Sequence, residues 1–175
     1  MKICIVSDSH DRAEPLAAAI AGARAAGAQA VIHCGDLIGA NTLRESIKLG
    51  MPLHVVDGNN IGDPMPMHKL MAKSGGLLTY HGQDAELELG GRRIFATHYP
   101  HYGRALACTG DYDLVCCGHS HVAEIIWQPD IKGGQTLLVN PGSVSGIGAP
   151  GVEEAFTWIL GDLTSMAFEI HTLEH

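Results

Sequence analysis

The sequence predicts an α/β fold in which two β-sheets pack face to face and helices flank them. In the first sixty residues, short apolar runs alternate with helical segments, an order typical of a parallel sheet with right-handed crossovers. After Gly58, short strands dominate and helices become rare. The chain has 175 residues, 46% of them hydrophobic, which suits a single domain with a real core, since domains average about 150 residues.

Three strands and two helices alternate in the N-terminal half. The predicted strands cover residues 3–7, 30–34 and 53–56. Asp11 is the predicted cap of the first helix, Pro15 suits its first turn, and Gly27 ends it. A capping box over residues 42–45 opens the second helix, which ends at Gly50.

The C-terminal half is mostly strand. A short helix begins with the segment 63–66 and runs to Lys73, and another covers residues 101–108. The pair Gly90 and Gly91 predicts a hairpin turn. The predicted strands cover residues 77–80, 85–89, 92–97, 114–117, 123–127, 137–139, 155–159 and 166–171.

Composition and charge exclude several classes of protein. Eleven Lys and Arg against nineteen Asp and Glu give a net charge of −8, which argues against a generic duplex nucleic-acid binder. The apolar stretch 16–32 contains too many polar residues to span a membrane, and we expect no signal peptide. The five cysteines are odd in number and form no Cys-x-x-Cys pair, which indicates reduced thiols in a cytoplasmic protein.

Residues 1–172 are expected to form one domain, and residues 173–175 are expected to be the remnant of an expression tag. An exposed apolar patch on the surface would indicate a homodimer. The sequence does not show which apolar residues lie together on the surface, so it leaves the oligomeric state open.

Side chains able to bind metal follow the apolar strand runs repeatedly. They are Asp8, His10, Asp36, Asn59, His98, His119 and His121. Because ligands in α/β sheets bind outside the carboxyl ends of the strands, we expect these side chains to converge. One buried histidine among them would be unremarkable, whereas four in this pattern favour metal ligation.

Seven N and O ligands are too many for one ordinary ion, since a structural zinc takes four and a catalytic zinc three plus water. They suit two divalent ions, which at a separation of about 3.5–4 Å would clamp the attacking and leaving oxygens of an in-line displacement. Two carboxylates against two such ions leave a positive site that attracts phosphate despite the net charge of −8. The absence of thiolates favours Mn, Fe, Co, Ni or Zn in such a site over a structural zinc–sulfur centre.

Taken in order, these motifs resemble those of the calcineurin-like metallophosphoesterases. They are Asp8-x-His10, Gly35-Asp36, Gly58-Asn59, His98 and the segment Gly-His-Ser-His at 118–121. Length, spacing and the segment Asn-Pro-Gly-Ser at 140–143 look like the small YfcE-like phosphodiesterase branch. The resemblance covers nearly the whole chain and implies a four-layer αββα sandwich with a two-metal site at one edge.

The resemblance also implies how the ions are held. One ion would be bound by Asp8, His10 and His121, the other by Asn59, His98 and His119, and Asp36 would bridge them. A hydroxide activated between the ions would attack a small phosphodiester. Asp36, Asn59, Asn60 and His98 form the implied catalytic set. The family leads us to expect Mn²⁺, with Fe, Ni, Co or Zn as alternatives.

One position departs from the family pattern. Many relatives carry His after the Gly-Asn pair, where it helps to protonate the leaving group or to bind the phosphate, and here the residue is Asn60. An amide cannot act as a general acid, although its NH₂ group can donate a hydrogen bond to a phosphoryl oxygen. His101 is an alternative proton donor or simply a loop residue.

Other residues near these motifs have plainer readings. His33 is expected in the core or directly behind the ligands rather than among them. The 140–143 turn is expected to be structural with Ser143 a minor phosphate contact, and Arg12 and Arg104 are surface charges unless they touch substrate phosphate. Two functional alternatives also stay open. The first is a protein-interaction scaffold with weak or no catalysis, as in a retromer subunit of this fold family. The second is a phosphomonoesterase or a dinucleotide polyphosphate hydrolase, which the same metals could serve.

Overall fold

The computed structural model describes residues 1–152 and 154–173, and within them the chain forms eleven strands and four α-helices. The strands are β1 (Lys2–Val6), β2 (Ala28–His33), β3 (Leu53–Val55), β4 (Leu78–Tyr80), β5 (Ala85–Leu89), β6 (Arg92–Ala96), β7 (Leu114–Cys116), β8 (Ala123–Pro129), β9 (Gln135–Pro141), β10 (Thr157–Asp162) and β11 (Ala167–Thr172). The helices are α1 (Ala13–Ala25), α2 (Arg44–Lys48), preceded by a 3₁₀ turn over Ala40–Leu43, α3 (Pro64–Lys73) and α4 (Pro100–Ala107).

The strands form two mixed sheets. The first has the order β11-β10-β1-β2-β3-β4 and is parallel from β1 to β4, with β10 and β11 added antiparallel. The second has the order β5-β6-β7-β9-β8, in which β6, β7 and β9 are parallel and the two edge strands are antiparallel. Parallel strands in both sheets bring several strand-end loops to common edges.

Three apolar layers hold the sandwich together. The alternation along β1 is an example, because Ile3 and Ile5 pack between the two sheets while Cys4 and Val6 pack under α1 to α3. A smaller third layer lies between the second sheet and α4, where Ala107 is buried. The four-layer αββα sandwich predicted from the sequence is therefore confirmed.

The predicted order of strands and helices is confirmed, with shifted bounds. The Gly90–Gly91 hairpin joins β5 to β6, and Asp63 caps α3 by accepting a hydrogen bond from the backbone N of Met65 at 2.9 Å. The strand predicted over 155–159 instead lies at Thr157–Asp162. No helix within the described ranges is long and apolar enough to cross a membrane. Leu173 packs against the core, whereas the other two expected tag residues, 174 and 175, lie outside the described part of the chain.

Two predicted helix caps are wrong. The side chain of Asp11 does not cap α1 but accepts hydrogen bonds from the backbone N of Gly39 at 2.7 Å and from the hydroxyl of Thr42 at 3.0 Å. Because Thr42 is engaged there, the predicted capping box does not form, and α2 begins without a side-chain cap. A tertiary bond between two strand-end loops has replaced both local bonds.

Candidate metal centre

The seven predicted ligands lie on five loops, each of which follows a parallel strand. In the first sheet, Asp8 and His10 follow β1, Asp36 follows β2 and Asn59 follows β3. In the second sheet, His98 follows β6, and His119 and His121 follow β7. The two sheets thus meet at one edge, where their carboxyl ends face each other.

Five of these ligands have backbones in the left-handed region. They are Asp8 (φ 54°), His10 (φ 44°), Asp36 (φ 53°), His119 (φ 68°) and His121 (φ 58°). Side chains other than glycine adopt such angles at an energetic cost, and that cost is concentrated at functional sites. His119 and His121 alternate along the sequence and would share a face if β7 continued through them. β7 ends at Cys116 instead, and both histidines lie in the loop that leads to β8.

The first group of ligand atoms surrounds one oxygen of Asp8. Its Oδ1 lies 3.2 Å from Nε2 of His121 and 3.8 Å from Nε2 of His10, and the two ring nitrogens are 3.4 Å apart. Oδ2 of Asp36 lies 3.7 Å from Nε2 of His10. The ligand atoms of Asp8, His10 and His121 are close enough together to surround one cation.

The second group surrounds Asn59. Its Oδ1 lies 3.0 Å from Nε2 of His98 and 2.7 Å from Nδ1 of His119, and Oδ1 of Asp36 lies 3.4 Å from Nε2 of His98. Asp36 therefore presents one oxygen to each group. Asp8 Oδ1 is also 4.0 Å from Nε2 of His98, so that Asp8, Asp36 and His98 could share a cation as well.

Backbone carbonyls orient two of the rings. Nδ1 of His98 donates to the carbonyl of Cys34 at 2.7 Å, and Nδ1 of His121 donates to the carbonyl of Ile147, also at 2.7 Å. A proton on Nδ1 leaves Nε2 unprotonated and free to bind a metal. Neither carbonyl was identifiable from sequence, since no side-chain signal marks a backbone acceptor.

The buried carboxylates suit a divalent cation. Asp8 and Asp36 are almost fully buried, and Oδ1 of Asp8 has no hydrogen-bond partner among the described residues. Burial raises the pKa of Asp8, yet His121, His98 and Ser7 together outweigh it and hold that pKa below its usual value. The Asp8 carboxylate, whose Oδ1 lies 3.2 Å from Nε2 of His121, in turn raises the pKa of His121. An ionised, orphaned oxygen amid N and O donors is chemistry that a divalent ion satisfies.

Asn60 lies against the bridging candidate rather than in open space. Its backbone N donates to Oδ1 of Asp36 at 2.8 Å, and its side-chain Nδ2 donates to Oδ2 at 2.6 Å. These two bonds hold the Asp36 carboxylate in the orientation that presents one oxygen to each ligand group.

The other residues considered near the motifs lie behind the ligands or on the surface. His33 is buried and accepts at Nδ1 from the backbone N of Gly35. Asn140 and Ser143 are buried and structural, since Asn140 Nδ2 donates to the carbonyl of Gly118 and Ser143 Oγ to that of Asp8. Arg104 is paired with Glu124 at 2.9 Å.

Arg12 donates to the carbonyl of Ser145 at 2.9 Å and borders a cavity of about 630 Å³. The loop 146–149 forms another wall of that cavity, and it carries the carbonyl of Ile147 that orients His121. The cavity therefore adjoins the first ligand group.

Comparison with known proteins identifies the family and the fold. A sequence model described as the calcineurin-like phosphoesterase superfamily domain matches residues 1–165. A phosphodiesterase of Methanocaldococcus jannaschii is 28% identical over 148 residues, which are 83% of this chain and 86% of that protein.

Solved structures share the fold. A structure titled as that of a novel archaeal phosphodiesterase has a TM-score of 0.86 at 24% identity and covers 99% of this chain and 100% of its own. The Escherichia coli phosphoesterase YfcE has a TM-score of 0.58 at 20% identity, with 99% and 100% covered. Vps29 of Entamoeba histolytica, solved with Zn²⁺, has a TM-score of 0.62 at 17% identity, with 99% and 98% covered. These relatives match the branch predicted from the motifs.

Proposed function

The chain belongs to the calcineurin-like phosphoesterase superfamily, and we propose that within it the chain is a phosphodiesterase that works with two divalent metal ions. Asp8, His10 and His121 would hold one ion, Asn59, His98 and His119 would hold the other, and Asp36 would be shared between them. The observation that carries the proposal is the orientation of Asp36, whose two oxygens lie 3.7 Å from His10 Nε2 and 3.4 Å from His98 Nε2 in separate ligand groups.

Mn²⁺ is the proposed metal, with Fe, Ni, Co or Zn as alternatives. The donors are imidazole nitrogens, carboxylates and one amide oxygen, a set that serves all of these ions. When bound, the ions would lower the pKa of water so that hydroxide is available near neutral pH, and would offset the charge of the phosphoryl group.

The protein's own part is to position these groups and keep them in the right protonation state. Asp36, Asn59 and His98 hold their donor atoms at the junction of the two ligand groups. Asn60 orients Asp36 through its bonds of 2.8 and 2.6 Å. Since no amide can give up a proton as an acid, esters whose leaving group is a weak base should react best.

A small phosphodiester is the proposed substrate. The unpaired cysteines favour a reducing, cytoplasmic setting, and the pairing of β10 with β1 favours a single domain. All five cysteines are unpaired, and four of them are buried. β10, from the end of the chain, pairs with β1 from its start, so that residues 1–172 would fold as one unit.

The scaffold hypothesis is the main competitor, because the fold is shared with Vps29. A scaffold has no need for an orphaned, buried carboxylate oxygen or for five ligands in strained backbone conformations. These features favour an enzyme. Phosphomonoesters and dinucleotide polyphosphates remain rival substrates for the same metals, and direct comparison of rates decides between them.

The test is hydrolysis of bis(p-nitrophenyl) phosphate by metal-stripped protein as Mn²⁺ is added back. We expect activity to rise with Mn²⁺ and to fall by at least about 1,000-fold in Asp36→Asn, since the bridging charge is removed. Asp130→Asn is the matched control, because that carboxylate only accepts bonds from the backbone N of Lys132 and Gly134 in a distant turn.

Full activity in Asp36→Asn would overturn the ligand scheme. A folded protein that binds metal but cleaves no diester, monoester or dinucleotide polyphosphate would favour the scaffold.

A further inference from the structure

Aromatic rings extend from the metal centre to the surface at the start of α4. The ring of Tyr99 lies 5.4 Å from that of His119 and 5.3 Å from that of His98. Tyr102 stands edge-on to Tyr99 at 5.7 Å, and His101 lies 4.1 Å from Tyr102. We call Tyr99, His101 and Tyr102 the aromatic ridge.

The ridge is not needed to attach α4 to the sheet. Gly103 and Ala107 are the buried residues of that helix, and Ala107 packs in a cluster with Val115 and Leu138 of the second sheet. Tyr102 is 50% exposed and His101 is exposed as well. Exposed aromatic rings that are fixed by mutual contact offer a rigid, sequence-tolerant surface for another ring.

The arginine of α4 is already paired with a carboxylate. Arg104, the cation nearest to it on α4, is paired with Glu124 at 2.9 Å, while the phosphoryl group is the part of the substrate that the metal ions attract. An ester group that leaves the centre on the side of His119 would meet the face of Tyr99 and then Tyr102.

We propose that the aromatic ridge stacks a planar aromatic group of the substrate, which makes the enzyme selective for nucleoside or aryl phosphodiesters over alkyl ones. This inference rests on the proposed function, because the metal centre must hold the phosphoryl group beside the ridge. Stacking is a contact with the bound ester and leaves the hydrolytic step itself unchanged.

The test measures binding, which needs no turnover. Mn²⁺-loaded protein is titrated calorimetrically with methylphosphonate and benzylphosphonate, whose P–C bonds are not hydrolysed, and with thymidine 5′-monophosphate. We expect benzylphosphonate to bind about tenfold tighter than methylphosphonate. If thymidine monophosphate binds tighter still, the ridge holds a nucleobase; if it binds more weakly than benzylphosphonate, the ridge holds a simple aryl group.

Variants of Tyr102 distinguish stacking on an aromatic ring from contact with any large apolar side chain. Tyr102→Leu should reduce the tenfold preference to about threefold or less, with methylphosphonate binding unchanged, and Tyr102→Phe should keep it. Trp127→Leu is the matched control, since Trp127 is a similarly exposed ring (46%) on β8, in a surface cleft beside Arg92 and Asp113. With the p-nitrophenyl ester of thymidine 5′-monophosphate, Tyr102→Leu should raise KM about tenfold and leave kcat unchanged.

Equal binding of the two phosphonates, or a preference that survives Tyr102→Leu, would overturn the inference. Failure of the proposed function looks different: a protein that binds Mn²⁺ but hydrolyses no ester would still show the calorimetric preference, whereas a protein that binds no Mn²⁺ would bind neither phosphonate measurably.

Discussion

Asn60 occupies a position where a single side chain decides which leaving groups the proposed enzyme tolerates. Its Nδ2 donates to Asp36 at 2.6 Å, so it helps to orient the proposed bridge without offering an acidic proton. The family pattern places a histidine here, which would protonate the leaving group or bind the phosphate. The chemical difference between an amide and an imidazole therefore predicts a change of selectivity.

Asn60→His should speed hydrolysis of a diester with an alkyl leaving group by up to about 100-fold, because an imidazolium can protonate the departing alkoxide. Bis(p-nitrophenyl) phosphate should change little, since p-nitrophenolate leaves without a proton. Steady-state rates with both esters test this, and Asn60→Gln controls for the lost contact with Asp36. An equal effect of Asn60→His on both esters would contradict general-acid assistance.

His33 should make the metal-free protein less stable as the pH falls. Its Nδ1 accepts from the backbone N of Gly35 at 3.2 Å and its Nε2 lies 3.0 Å from Ser9 Oγ, so the buried ring is neutral. Burial lowers the pKa of His33 to about 4. Between pH 6.5 and 4 the unfolded chain binds a proton that the folded chain does not, and the free energy of unfolding should fall by about 3 kcal/mol.

Urea denaturation from pH 7.5 to 4.5 measures that slope. His33→Asn is the matched variant, because its Oδ1 can still accept from Gly35 but does not titrate. The wild type should lose more stability than His33→Asn over this interval, whereas parallel curves would contradict the assignment to His33.

At the scale of elements, the site depends on how closely the strand-end loops approach one another. Gly118 and Gly58 have no room for a side chain, since a Cβ on Gly118 would collide with the hydroxyl of Ser7 and a Cβ on Gly58 with Asp36. Asn140 holds the carbonyl of Gly118 from the neighbouring strand β9. These contacts fix the start of the loop that carries His119 and His121.

Gly118→Ala should therefore weaken Mn²⁺ binding by about 10- to 100-fold, as loss of ligand orientation does in other metal sites. Gly22→Ala is the control, because its Cβ would lie 3.6 Å from Trp158 inside α1, an ordinary contact. It should keep metal affinity and add about 0.5–1 kcal/mol of stability. Metal titrations and thermal melts of both variants test this prediction. An unchanged Mn²⁺ affinity in Gly118→Ala would show that the loop relaxes freely.

For the whole molecule, the proposed ions would connect the two sheets. Asp8 and Asp36 follow strands of the first sheet, whereas His98 and His119 follow strands of the second. Binding would also neutralise two buried carboxylates. Metal should consequently stabilise the sandwich as a unit.

At a free Mn²⁺ concentration of 100 times Kd, the free energy of unfolding should rise by about 2.7 kcal/mol for each bound ion over that of the chelated protein. Differential scanning calorimetry with and without EDTA measures the change. Asp36→Asn should lose most of it, and Asp130→Asn should keep it. A wild-type melt that is indifferent to Mn²⁺ would show that no such ion connects the sheets.

Local signals in the sequence, the strand and helix patterns and the polar residues at strand ends, determined the succession of elements and the seven candidate ligands, and the family resemblance of the motifs implied the four-layer sandwich. The sequence identified His33 as a core residue and failed for Asp11 and Thr42, whose local capping bonds lost to a bond with each other. Only the tertiary structure decided that His119 faces Asn59 through Nδ1, that Cys34 and Ile147 orient two rings, and that Tyr99 packs on His119. Those features depend on loops from two sheets meeting in space, and no spacing along one chain encodes that distance.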